Sequence, residues 1–146
     1  MYHKPALLEE SIEGLSVQEN GTYVDATFGG GGHANEILGR LKDGKLFVFD
    51  QDTDALENSK KDKNLYTIHA NFRHMREELK DKGIIKVDGI LADLGISSHQ
   101  IDTPGRGFSI RFDAPLDMRM DTSETYTAAD IINSYSISKL RAFSIV

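Results

Sequence analysis

Four consecutive glycines sit in the run Asp25-Ala26-Thr27-Phe28-Gly29-Gly30-Gly31-Gly32-His33, and they constrain this chain more than any other feature. A backbone without Cβ atoms can take positive φ and lie directly against a ligand, as a tight strand-to-helix turn requires. The extended apolar pair Tyr23-Val24 leads into the run. A helical pattern with Ala34, Ile37, Leu38 and Leu41 on one face leads out of it. The next strand-like segment, Leu46-Phe47-Val48-Phe49, ends in Asp50, about the separation expected between a glycine turn and a ribose-binding acid. Strand, glycine turn, helix, strand and acid together predict a nucleotide-type cofactor site.

The rest of the chain extends the same alternation. Pro5 suits the first turn of a helix carrying Leu8, Ile12 and Leu15, and Asn20-Gly21 marks a turn before the first strand. The helix after the glycines is expected over about 33–41, stopped by Asp43-Gly44. A short polar helix over 53–61, a third strand over 66–70 and a helix over 73–82 ending at Gly83 follow. The fourth strand, over 89–93, is nearly all apolar, as a buried parallel strand should be. This order predicts an α/β fold: a parallel, Rossmann-like sheet with right-handed crossovers and helices on both faces. Periodicity is lost over 95–125, too long for an ordinary connection. Helices are expected over 127–133 and 138–143.

A chain of 146 residues has single-domain length. It contains no cysteine, which excludes disulfides and thiolate metal sites, and no metal centre is expected. No run approaches membrane-spanning length, and a cytoplasmic home is expected. The formal charge of −6 argues against binding nucleic acid over the whole surface, while leaving room for a local basic site.

In an open parallel sheet, ligands bind at the carboxyl ends of the strands, at the topological switch point. Asp25, Gly29 to His33, Asp50, Phe72 and Asp93 would surround that crevice. Gly29-x-Gly31-x-x-Ala34 loosely matches a dinucleotide fingerprint. A pyrophosphate, however, wants a helix N-terminus free of competing anions. S-adenosylmethionine brings a sulfonium cation, and acids such as Asp25 and Asp93 suit it better. Simpler roles stand beside these: Asp50 as a strand-end cap, Phe72 as a core aromatic, His33 as a polar residue of a first helical turn.

A second series is more specific. It comprises Asp93-Leu94-Gly95-Ile96-Ser97-Ser98-x-Gln100, Arg106-Gly107-Phe108-Ser109, and Asp113-Ala114-Pro115-Leu116-Asp117-Met118-Arg119-Met120-Asp121. With the N-terminal His3-x-Pro5-x-Leu7-Leu8-x-Glu10 and Gly31-Gly32-His33, it closely resembles the MraW-type methyltransferase H family, over nearly the whole chain. The resemblance implies a class I methyltransferase domain that uses S-adenosylmethionine to methylate the exocyclic N4 amine of a cytidine in the decoding centre of small-subunit ribosomal RNA.

By the same resemblance, Gly31, Gly32, His33, Asp50, Phe72, Asp93 and Gln100 match the positions that hold the cofactor. Asp50 would accept from the ribose hydroxyls; His33 and the glycine backbone would hold the amino-acid portion. Asp93 and Gln100 would line the methionine side. The loop 106–121 would face the substrate. There Arg106, Arg111 and Arg119 supply local charge for phosphates, and Phe108, Phe112 and Met118 stack on or wedge beside an extruded base. Ser109 and Asp117 belong to the same face. The plainer reading of this loop pairs its arginines with Asp113, Asp117 and Asp121. Other amino-methyltransferases carry a polar-Pro-Pro-aromatic motif after strand four, which Asp93 to Ser98 does not match, so the general base is left unassigned.

Members of the family are considerably longer, so the expectation is a single, incomplete methyltransferase domain over 1–146, its N-terminal portion only. Residues 95–125 would form a substrate and cofactor loop, and 126–146 the start of a helical insertion. Reduced or absent turnover on the small ribosomal subunit is expected, as is a homodimer covering the open edge of strand four. A cofactor-binding remnant without catalysis is the second reading, and a dinucleotide-dependent oxidoreductase fragment the third.

Overall fold

The structure, a computed structural model, describes residues 5–142; His3 and Phe143 lie outside the described residues. The chain packs as two compact units that meet between Gly95 and Ile96. The division falls where the regular alternation of strands and helices ends.

The first unit is a four-stranded parallel sheet in the order β3-β2-β1-β4, built from β1 (Thr22–Asp25), β2 (Lys45–Asp50), β3 (Leu65–His69) and β4 (Gly89–Leu91). Its helices are α1 (Leu8–Leu15), α2 (Gly32–Arg40), α3 (Thr53–Leu56) and α4 (Met75–Asp81). Side chains alternate across each strand and divide the core in two. On one face Tyr23, Leu46, Val48 and Leu91 pack with Ile12 of α1 and Ala34 and Ile37 of α2. On the other, Val24, Phe47, Phe49 and Ile68 pack with Leu79 of α4. Both faces of β2 are therefore covered, which explains its continuous run Leu46-Phe47-Val48-Phe49. The expected Rossmann-like sheet, with helices on both faces, is what the chain forms.

Two elements are shorter than periodicity suggested. The helix expected over 53–61 stops at Leu56, where the polar Asn58 to Lys63 segment has nothing apolar to bury. The strand expected over 89–93 pairs only as far as Leu91. Beyond it, Asp93 leaves the ladder and donates its backbone N–H to the Thr27 hydroxyl at 2.7 Å. β4 has no neighbour on its outer side among the described residues, and Ile90 there is half exposed.

The second unit is irregular, with α5 (Ser98–Asp102), α6 (Ala128–Ser134) and α7 (Ile137–Arg141). α5 lies inside the stretch expected to be a long loop. One helical turn is too short to show a period, and its only local signal is the capping box of Ser97 and Gln100. α6 opens with a second box, Thr127 with Asp130. Among the described residues no helix is long and apolar enough to cross a membrane.

Candidate functional site

The glycine run folds as a turn between β1 and α2, and it is tied to the neighbouring strand ends by hydrogen bonds. Ala26 N–H donates to the Leu91 carbonyl at 2.8 Å and Phe28 N–H to the Phe49 carbonyl at 3.0 Å. Gly29 N–H donates to Asp50 Oδ2 at 2.8 Å. The turn therefore sits across the carboxyl ends of β4, β1 and β2. The conformational demand falls on Gly29 and Gly31, at φ of 51° and 73°. Gly32 is needed for a different reason: a Cβ there would collide with the Pro5 ring. The bareness of the run thus serves packing of the N-terminal segment as well as approach by a ligand.

Asp25 ends β1 on the α2 face of the sheet and is 1% exposed. Its Oδ1 accepts from Thr27 N–H at 3.0 Å. Its Oδ2 has no hydrogen-bond partner among the described residues. Burial pushes this carboxyl up to about 6, against the Thr27 bond and the nearby His33, which favour the anion. Asp25 stands beside Val48 in the parallel register, two residues before Asp50, so Asp50 lies on the same face. Asp50 accepts from Gly29 N–H through Oδ2 and from Asp52 N–H through Oδ1 at 2.9 Å. Burial raises its pKa as well, with those two bonds opposing the shift. Gln51 N–H is a third backbone donor to this carboxylate, whose two oxygens offer about four acceptor sites, so one is left for a further donor.

The other expected cofactor residues fall into different situations. His33 is buried in the first turn of α2, and its Nε2 is paired with the Ala6 carbonyl at 3.1 Å. That bond ties the N-terminal segment to the start of α2. Asp93 is exposed and held beside the turn through Thr27. Phe72 is exposed in a short 3-10 turn directly after β3, which removes its reading as a core aromatic. Gln100 belongs to the second unit, where it is buried; its Oε1 accepts from Ser97 N–H at 3.0 Å to close the α5 cap. Asp25, the glycines, Asp50 and Asp93 are thus gathered at one turn.

Thr27 and the Gln51–Asn71 pair escaped the sequence reading. Asn71 Nδ2 donates to Gln51 Oε1 at 2.8 Å and joins the ends of β2 and β3 beside Phe72. The available signal was position alone, since each follows a strand end by one or two residues.

In the second unit the arginines of the loop are internally engaged. Arg106 is buried, and its Nη2 donates to the Arg119 and Met120 carbonyls at 3.0 Å each. Both Nη2 donors of Arg106 are thus committed to carbonyls of its own loop. Arg119 grips Asp117 through Nε and Nη2 at 2.9 and 2.7 Å, and its Nη1 donates to the Thr122 and Glu124 carbonyls. The guanidinium holds the Asp117 carboxyl down to about 2. Arg111 pairs with Asp102 at 2.6 Å, and Ser109 Oγ accepts from its Nε. Arg119 is thus paired with Asp117, as the plainer reading expected, while Arg111 takes Asp102, which that reading had not named. Phe108 is half-buried.

Comparison with known proteins agrees with this arrangement. The model of the MraW methylase family matches residues 1–144. A ribosomal RNA small subunit methyltransferase H from Cytophaga hutchinsonii is 63% identical over 93% of this chain and 46% of its own length. Proteins of the same name from Flavobacterium psychrophilum and Christiangramia forsetii are 56% and 54% identical over 92% and 96% of this chain, and 47% of their own lengths. The chain spans about half the length of the curated relatives it matches. On the family match over almost every residue, together with the glycine turn and strand-end acids in place, this chain belongs to the MraW methylase family.

Proposed function

We propose that this chain binds S-adenosylmethionine at the β1–α2 turn and serves methyl transfer to the exocyclic N4 amine of a cytidine in small-subunit ribosomal RNA. The observation that carries the reading is Asp25. A buried carboxylate with one oxygen unused, beside bare glycine backbone and two further acids, suits a cationic ligand and repels a pyrophosphate. The donor set fits the cofactor, which when bound supplies a methyl group on a positively charged sulfur.

In this reading Asp50 accepts from a ribose hydroxyl through the acceptor site its three backbone donors leave, and exposed Phe72 offers a surface to the adenine. Gly31, Gly32 and His33 hold the amino-acid portion, while Asp93 and Gln100 serve the methionine side. The loop bearing Arg106, Phe108, Ser109, Arg111, Asp117 and Arg119 serves RNA, with Arg106, Arg119 and Asp117 shaping it from within. The substrate particle is the small ribosomal subunit, met in the cytoplasm. The open β4 edge pairs with a second copy in a homodimer, which light scattering coupled to gel filtration tests; a monomer at micromolar concentration refutes it.

The cofactor reading is tested by thermal melts. S-adenosylmethionine at about a hundred times its dissociation constant should stabilise the fold by roughly 2.7 kcal/mol. Asp50→Ala, which also costs the Gly29 and Asp52 bonds, should melt lower and show almost no ligand shift. A shift with NADH and none with S-adenosylmethionine would sink the reading. Incorporation of labelled methyl groups into unmethylated small subunits separates a working enzyme from a remnant that only binds.

A further inference from the structure

We propose that residues 107–117 form a pinned loop whose tip, Ile110, inserts as an apolar wedge between stacked bases of the RNA; this rests on the RNA reading above. The loop leaves and returns at one point. Met118 N–H donates to the Arg106 carbonyl at 3.0 Å, and the buried Arg106 guanidinium ties the returning limb at Arg119 and Met120. Gly107 touches that limb backbone to backbone. The start of α6 fastens it again, through Ala128 N–H to the Asp117 carbonyl at 2.7 Å and Ala129 N–H to the Leu116 carbonyl at 2.9 Å. Met118 takes a left-handed φ of 60° at the crossing, a conformation a non-glycine residue keeps only where its surroundings enforce it. A compact excursion with closed ends is an Ω-loop, a form frequently used for function.

The far end of this loop is built unlike a simple turn. A turn that only reverses the chain favours Gly, Asn, Asp or Ser, whereas here a β-branched Ile110 stands with its whole side chain in solvent. Its neighbours are held back from it. Ser109 Oγ accepts from both the backbone N–H and Nε of Arg111 at 3.2 Å. The Arg111 guanidinium bonds Asp102 and lies 5.5 Å from the centre of the Phe112 ring. Ile110 is the most exposed apolar side chain of this braced loop, ahead of Phe112 and Leu116.

Arg111 is paired with Asp102 and followed by Asp113, so the tip has no net positive charge with which to clamp phosphates. What it offers is an apolar finger, of the kind that unstacks a base step by insertion. A stacked cytidine must leave the helix before its amine can react, and the gap it leaves needs filling. Such a contribution acts through stacking, and is expected to be insensitive to salt, unlike one made through phosphates.

The test uses a hairpin of the decoding-centre helix with 2-aminopurine beside the target cytidine. Binding of the wild-type chain is expected to raise its fluorescence. Ile110→Ser should keep the melting temperature and the salt slope of binding, lose most of the fluorescence rise and bind about ten-fold more weakly. Ile110→Phe should restore both. An undiminished rise and affinity in Ile110→Ser overturns the wedge and leaves the RNA reading standing. Failure of the wild-type chain to bind the hairpin overturns both. A self-association that Ile110→Ser dissolves assigns the tip to a protein contact and overturns the wedge.

Discussion

Gly107→Ala is expected to unfold the second unit, at a cost of about 2–5 kcal/mol. Gly107 has φ of 72°, and a Cβ in that left-handed region costs about 1–2 kcal/mol. The added carbon would also sit 2.6 Å from the Pro115 carbonyl oxygen and 2.7 Å from the Asp117 nitrogen, both of them backbone. Neither can swing away as a flexible side chain would, and overpacking of this kind adds about 1–3 kcal/mol. The crossing of Arg106 with Met118 would open, and with it the Arg106 ties to the Arg119 and Met120 carbonyls. Native-state hydrogen exchange reads the result: amides of 98–134 should lose protection while those of the sheet keep theirs. Gly105→Ala, which meets nothing, is the control and should leave exchange unchanged. Equal protection in the two variants would refute the account of the crossing.

Asp25→Asn is expected to stabilise the first unit at neutral pH and to flatten its pH dependence. Burial disfavours the charge of the folded carboxyl and pushes it up to about 6 from an ordinary value of 3.8. Between those values the folded chain binds more protons than the unfolded one, so stability falls as pH rises through the window. Above it the full penalty is present, about 3 kcal/mol for a shift of about two units; below pH 4 it vanishes. Asparagine keeps an acceptor for Thr27 N–H and carries no charge. Urea unfolding at pH 4 and pH 7.5 should therefore show a variant advantage at the higher pH only. An advantage of the same size at both would mean that the charge of Asp25 is not what costs stability. Under the proposed cofactor reading, a destabilising buried acid at the site is poised for a cation to offset it.

Most of the elements were legible because short-range physics specifies them. The continuous apolar run Leu46 to Phe49, the 3.6-period faces of α1 and α2, and the stop at Gly83, which takes φ of 75°, act through neighbours in the chain. The expected place of the crevice followed from the rule that open parallel sheets bind ligands at the carboxyl ends of their strands, at the switch point. Asp25, Asp50 and Asp93 were legible for the same reason, each standing at or just past the carboxyl end of a strand.

Side-chain partners across the chain were a different matter. Nothing near Arg106 in sequence says that its guanidinium will be buried under carbonyls thirteen and fourteen residues away. Nothing near His33 announces the Ala6 carbonyl as its partner, 27 residues back. The Ser97–Gln100 box was within reach of local rules, and the search for periodicity passed over it because a single turn has no period. By itself, then, the sequence determined the element types, the parallel sheet, the family and the acids at the glycine turn, all set by local propensity and topological rule. Only the tertiary structure decided which partners the loop arginines take, that Gly32 is bare to admit Pro5, and that Ile110 is the most exposed apolar residue of its loop. Those outcomes depend on which distant carbonyls and rings arrive at the same place, and that is settled by packing rather than by neighbours along the chain.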